Sequence, residues 1–219
     1  MIYPNGSLES DFEFSPGDLL LIRHGITDMA GTLCGQSDPP LNEEGHKQAK
    51  ALASLLQSAP VGRLYSSDLQ RAVQTALPLA EAWDIGASSR QDLREISFGD
   101  WEGKRWAEIR STCPHASNMD SSAFCAPRGE TFAAFRARVL RAVRHIVAES
   151  TGACTAVVTH LGVIRVLLGE LFPSGTHWNP EKRIEYCAVY CIRRSKGSSE
   201  LLTISTQNDT TAHLRGGSG

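Results

Sequence analysis

A chain of 219 residues, 41% hydrophobic and 21% charged, has enough apolar material for one substantial core, which excludes a disordered chain. Its formal net charge of -2 provides no global basic field, so neither nucleic acid nor an anionic membrane is expected as a partner, and any bound anion must be gripped by a local cluster. Near the start the longest apolar stretch, Leu19 to Ile22, is too short for a membrane span or a signal-peptide core, and a cytoplasmic protein is expected.

Met1 to Gly17 mix Pro, Gly, Ser and acids without periodicity and read as a flexible arm (1–17), ahead of one domain over 18–208 and a flexible tail over 209–219. Asp18 to Ile22 is a short apolar run ending at charge, as in a strand buried on both faces of a parallel sheet. Asn42 is a good N-cap for a helix over Glu43 to Ser58, with Ala49, Leu52, Ala53, Leu55 and Leu56 on one face. Val61 to Tyr65 reads as a second strand, and Ser66-Ser67-Asp68 as the opening of a helix that Pro78 should bend or end. Phe132, Phe135, Val139, Val143 and Ile146 recur at helical spacing. Ala153 to Thr159 is the next buried strand and Leu161 to Phe172 a helix, with Tyr186 to Ile192 and Leu201 to Ser205 as late strands. Strands alternating with helices predict a three-layer α/β/α sandwich around a mainly parallel sheet. Six cysteines, at 34, 113, 125, 154, 187 and 191, show no C-x-x-C pair and no dense secreted spacing, so they read as reduced thiols, mostly small core residues, with no metal set.

Two predicted strands end in histidine, at Arg23-His24-Gly25 and Thr159-His160. In open α/β sheets the ligand crevice lies beyond the carboxyl ends of the strands, which would aim both imidazoles into one place. The plain alternative is two unrelated histidines satisfied by backbone, but it leaves Arg23 beside the first and Arg71 after Ser66-Ser67 unaccounted for. Together the four suit phosphoryl transfer, whose negative charge spreads over three oxygens and needs fixed cationic donors. Arginines give permanent planar donors, His24 gives a neutral nucleophile, and His160 gives a further donor.

The residues Leu20-Leu-Ile-Arg-His-Gly-Ile-Thr27 resemble the signature of the histidine phosphatase superfamily, the phosphoglycerate mutase-like enzymes. Further blocks resemble it in family order: Gly35-Gln-Ser-Asp-Pro-Pro-Leu41 with Glu44-Gly45, Ser66 to Ala76, Leu93 to Gly103, and Val157-Val-Thr-His-Leu-Gly-Val-Ile-Arg165. The resemblance implies that His24 is the phosphorylated nucleophile, that Arg23, Arg71 and His160 bind the phosphoryl group, and that Glu95 donates the proton to the leaving oxygen. No cofactor is implied. Read from the residues alone, Glu95 is either that acid or a salt-bridge partner of the cations, with Phe98 and Trp101 placed to shield it. Thr27, Gly35 and Leu161 are further substrate-binding candidates, the first two with a loop-structural role as the alternative.

Sixty-five positions separate Glu95 from His160, and in the superfamily this stretch forms a lid over the carboxyl edge. A short lid is expected here, with Cys113, Pro114, His115, Phe124 and Arg128 as its candidate lining or as surface residues. Mutases of the family carry a longer insertion, and many have an Asn where this chain has Ala30, which favours hydrolysis. The expected protein is a metal-independent phosphomonoesterase, a monomer or homodimer, acting on a small phosphorylated metabolite. The Gly35 to Leu41 loop is similar to that of α-ribazole phosphatases, which points to a nucleoside or sugar phosphate. A phosphoglycerate mutase and a catalytically silent phosphate-binding module are the alternatives.

Overall fold

The structure, a computed structural model, describes residues 13–113, 125–150, 152–171, 184–195 and 198–204. The arm before residue 13, the lid candidates Pro114, His115 and Phe124, and the 209–219 tail lie outside the described residues. In chain order the elements are β1 (Leu19–Arg23), α1 (Glu43–Leu56), β2 (Val61–Ser67), α2 (Gln70–Trp83), β3 (Ala87–Arg90), α3 (Trp106–Thr112), α4 (Phe132–Ala148), β4 (Cys154–Thr159), α5 (Leu161–Leu171), β5 (Val189–Ser195) and β6 (Ser198–Ile204). Short 3-10 turns occupy Gln91–Leu93 and Gly99–Trp101.

The six strands form one sheet in the order β3-β2-β4-β1-β5-β6. β3, β2, β4 and β1 run parallel to one another, whereas β5 is antiparallel to β1 and β6 to β5, so the sheet is mainly parallel as predicted. Successive residues of a strand face opposite sides, and here both sides are apolar. Leu20 and Ile22 of β1, Leu64 of β2, and Ala156 and Val158 of β4 pack with α1 and α2 in one core. Leu19, Leu21, Tyr65 and Val157 pack with α4 and α5 in the other. The sheet is thus the middle of three layers. Burying a single leucine or isoleucine is worth about 1.5–3 kcal/mol, and Leu20, Leu21 and Ile22 are wholly buried, which makes β1 the anchor of both cores.

Helix α1 starts where predicted, with the Asn42 side chain accepting from the Gly45 N–H at 2.9 Å. It stops at Leu56, two residues before the predicted end and ahead of Pro60. Helix α2 starts at Gln70, later than the predicted Ser66–Asp68, because β2 extends to Ser67 and places both serines in the sheet. Its first N–H is capped from elsewhere in the chain: Gln70 N–H donates to Asp38 Oδ1 at 2.6 Å. Pro78 does not end this helix, which continues to Trp83. Proline forfeits one helical hydrogen bond, while Ala76 and Leu79 stay fully buried on either side of it and hold the segment in place. Edge strand β3 was not predicted, since Ala87-Ser-Ser-Arg90 is mostly exposed and carries no apolar alternation. Strand β5 begins at Val189 and not at Tyr186, because residues 185–188 turn first, with the Ala188 N–H donating to the Glu185 carbonyl at 3.2 Å and Cys187 at φ 57°.

One register decides where the chemistry gathers. β1 and β4 pair in parallel with Arg23 opposite Thr159, so both strands reach the carboxyl edge at the same level. The ladder extends one step further, His24 N–H donating to the Thr159 carbonyl at 3.0 Å.

Candidate active site

His24 and His160 follow those two adjacent strand ends, and their rings lie 5.1 Å apart, centroid to centroid. Both are buried, His24 at 7% exposure and His160 at 0%. The Nδ1 of His24 is 2.7 Å from the Gly25 carbonyl oxygen. A carbonyl only accepts, so Nδ1 carries the proton and Nε2 keeps its lone pair. Arg71 agrees with that tautomer, since its Nε–H donates to His24 Nε2 at 3.3 Å and a guanidinium has no acceptor. Burial, and after it the charges of Arg71 and Arg23, hold the His24 pKa well below its ordinary value. The His160 pKa is lowered in the same way, by burial first and then by Arg71. Both rings are therefore neutral near pH 7.

Arg71 is 1% exposed, and helix α2 presents it beneath the loop at 35–37. Its two terminal nitrogens donate to the carbonyls of Ser37 and Gly35, each at 2.7 Å. With the contact to His24, three of its five N–H bonds are engaged, leaving two for a ligand. Glu102 holds that loop from the other side. Its carboxylate accepts from Gln36 N–H at 2.8 Å, Ser37 N–H at 2.7 Å and the Ser37 hydroxyl at 2.6 Å. Gly35 sits at φ +52°, and a Cβ there would lie 2.4 Å from Glu102 Oε1, so both backbone geometry and space call for glycine.

Arg23 donates to the Ile184 carbonyl, and its guanidinium carbon lies 3.7 Å from the centroid of the Tyr186 ring. Burial lowers its pKa, opposed mainly by Tyr186 and Glu95. The Tyr186 ring is also 5.8 Å from that of His24, making it a site residue that the sequence reading missed. Its signal is hidden because the apolar run from Tyr186 reads as strand, whereas the turn before β5 brings this ring onto Arg23.

Among the described residues, the Arg23 Nε and both ring nitrogens of His160 are buried without a hydrogen-bond partner. Buried polar atoms are ordinarily satisfied, so three orphans around His24 call for a polar ligand. Two arginines fix its charge as negative.

Glu95, 9% exposed, follows the 3-10 turn at Gln91–Leu93. Its Oε1 accepts from the Ile96 N–H and its Oε2 from the Gly162 N–H, both at 2.9 Å. Gly162 lies in the first turn of α5, two residues after His160, so this bond brings the carboxylate beside the second histidine. A Cβ at Gly162 would meet Glu95 Oε1 at 2.1 Å. Phe98 and Trp101 are buried in the core on the side of α4 and α5.

The Thr27 hydroxyl is buried and accepts from the Met29 N–H at 3.3 Å, a local turn contact. Gly35 contributes the carbonyl that orients Arg71. Leu161 is half-buried and packs against the core at the start of α5. Among the lid candidates, Cys113 packs partly buried against the same core, and Arg128, with an 84% exposed side chain, is ion-paired to Asp100 on the surface. Among the described residues, no group of three or more His, Cys, Asp or Glu could hold a metal ion, and no helix is long and apolar enough to cross a membrane.

Comparison with known proteins identifies the family. The chain is 34% identical over 172 residues to the adenosylcobalamin/alpha-ribazole phosphatase of Salmonella typhimurium, covering 74% of this chain and 83% of the relative. It is 36% identical over 163 residues to the metal-independent phosphoserine phosphatase of Arabidopsis thaliana, covering 68% of this chain and 66% of that protein. The structure of mycobacterial glucosyl-3-phosphoglycerate phosphatase complexed with VO3 superposes with a TM-score of 0.76 at 26% identity, over 87% of this chain and 99% of that one. The profile of the histidine phosphatase superfamily (branch 1) matches residues 19–207. The chain belongs to that superfamily and is a phosphoric monoester hydrolase.

Proposed function

We propose that the chain hydrolyses a small phosphorylated metabolite through a phosphohistidine on His24. The observation that carries this reading is the tautomer: Nδ1–H is spent on the Gly25 carbonyl, which leaves Nε2 as a lone-pair nucleophile among two arginines and a second histidine. In the first step the Nε2–P bond forms as the ester P–O bond breaks, and Glu95 gives its proton to the departing oxygen. In the second, water attacks phosphorus, the Nε2–P bond breaks, and Glu95 takes the proton back. Arg23, Arg71 and His160 hold the three equatorial oxygens, where charge builds in each transition state. The Arg71 Nε–H bond to Nε2 is long, and it passes to a phosphoryl oxygen when substrate arrives.

The substrate class is an alcohol phosphate, with a nucleoside or sugar phosphate preferred and α-ribazole phosphate as the leading candidate. The named activities of the relatives support this, since alpha-ribazole phosphatase and phosphoserine phosphatase are both phosphatases of small metabolites. The test measures phosphate release from α-ribazole phosphate, glucosyl-3-phosphoglycerate, phosphoserine and p-nitrophenyl phosphate, with a base quench to trap the intermediate. We expect an acid-labile phosphate on the His24 peptide and none in a folded His24→Ala variant. Phosphate found on serine or cysteine refutes the mechanism.

A further inference from the structure

We propose that Arg138, on helix α4, is a positioning residue that sets the aim of Glu95 for leaving-group protonation. The inference rests on the phosphomonoesterase reading above. Glu95 lies on a segment outside any long helix or strand, so something other than a regular ladder must hold its backbone. The carbonyls of the segment show what does. Arg138 Nη1 donates to the carbonyls of Asp92 at 3.0 Å and Arg94 at 2.9 Å, and Nη2 to that of Glu95 at 3.4 Å. The carbonyl of Leu93 accepts from the Thr159 hydroxyl at 2.8 Å, one residue before His160. All four carbonyls from Asp92 to Glu95 are thereby tied, three of them to one guanidinium.

That guanidinium is itself held. The Glu130 carboxylate takes Arg138 Nε at 3.0 Å and Nη2 at 2.7 Å, a two-point contact that fixes the guanidinium plane. Glu130 is placed in turn by its own N–H, which donates to the Ser97 carbonyl at 2.9 Å, two residues beyond Glu95. The Arg138 and Glu130 side chains are only 18% and 17% exposed, and the Arg138 guanidinium carbon lies 5.2 Å from the Phe135 ring centroid. This is unlike an ordinary surface ion pair, which holds nothing but its own partner. A lysine here would keep the charge opposite Glu130 but cannot reach several carbonyls with a planar fork.

The readout is the dependence on leaving group, because a proton donor matters for an alkoxide and little for a phenolate. Arg138→Lys and Arg138→Met are compared with wild type and Glu95→Gln on glycerol phosphate and p-nitrophenyl phosphate, with thermal unfolding followed in parallel. We expect Arg138→Lys to stay folded and to lose at least about tenfold more kcat/KM on the alkyl than on the aryl ester. In the Glu95→Gln background the same change should cost the alkyl ester little more, as required of a residue that acts through another. Should Arg138→Met fail to fold, Arg138→Lys and Glu130→Gln carry the same comparison. Equal losses on both esters, or full additivity with Glu95→Gln, overturn the positioning role and leave the acid intact. If Glu95→Gln itself shows no leaving-group preference, the acid assignment fails and this inference with it.

Discussion

Gly162→Ala tests the site at its tightest point. The added Cβ would stand 2.1 Å from Glu95 Oε1 and 3.0 Å from its carboxyl carbon, where ordinary contact begins at 3.4 Å. The carboxylate must retreat by roughly 1.3 Å, and a misplacement of about 1 Å can cost on the order of a hundredfold in rate. What yields is the far end of a flexible side chain, so the fold should survive. Alanine is favoured over glycine in a helix by about 1 kcal/mol, while the strained bond from the Gly162 N–H to a charged acceptor is worth about 1.5–3 kcal/mol. The net loss of about 0.5–2 kcal/mol is small beside the roughly 5–15 kcal/mol of a typical domain. Phe135 Cζ, 3.2 Å from the new Cβ, must also give slightly. The assay is kcat/KM on glycerol phosphate and on p-nitrophenyl phosphate, alongside the denaturation midpoint. We expect about a hundredfold loss on the alkyl ester, a much smaller one on the aryl ester, and a folded protein. Undiminished alkyl turnover would show that Glu95 does not act from its observed position, and global unfolding would show that the clash is borne by the backbone.

Glu95→Gln should reproduce the alkyl-selective loss at a cost in stability of about 1.5–3 kcal/mol, because a single amide oxygen cannot accept from both the Ile96 and the Gly162 N–H, and equal losses on both esters would make it a structural residue. Activity should survive EDTA, because the charge opposite the phosphoryl group comes from Arg23 and Arg71; complete loss restored by a divalent ion would contradict this. With 3-phosphoglycerate and a 2,3-bisphosphoglycerate primer the enzyme should release phosphate or do nothing, and efficient isomerisation would instead reveal a mutase. Stability should fall as pH drops below about 6.5, since the unfolded chain takes up protons on His24 and His160 that the folded one refuses. Above that pH both states are neutral and the contribution is fully present; below it the slope reaches about 1.4 kcal/mol per pH unit for each histidine. Denaturant midpoints level between pH 7 and 5 would contradict the buried neutral pair.

Much of the site was legible because its residues stand at strand ends or in the blocks that resemble the superfamily. His24 follows an apolar run that reads as a buried strand, and His160 follows another. Their contact was not legible from either run, because it depends on β1 and β4 being neighbours in register, although they lie more than a hundred residues apart. Tyr186 was missed because a turn residue at positive φ, Cys187, interrupts what reads as continuous strand. Glu102 lies within the Leu93 to Gly103 block, yet its task is to hold main-chain N–H groups of a loop 65 positions upstream, which no local pattern announces. Arg138 sits on the polar flank of the clearest amphipathic helix, where a charge reads as a solvated face. Only the tertiary fold shows carbonyls meeting it there.

The proton on His24 Nδ1 is held by the carbonyl of Gly25, not by a carboxylate or amide side chain. Every amino acid carries that oxygen, so no exchange of a side chain elsewhere can delete it outright. Mutation can displace Glu95, loosen the arginines or reshape the rim, and the orientation of the His24 ring would outlast each of those changes. A scaffold wired in this way can pass from one phosphate ester to another over evolutionary time while its first chemical step remains inherited intact.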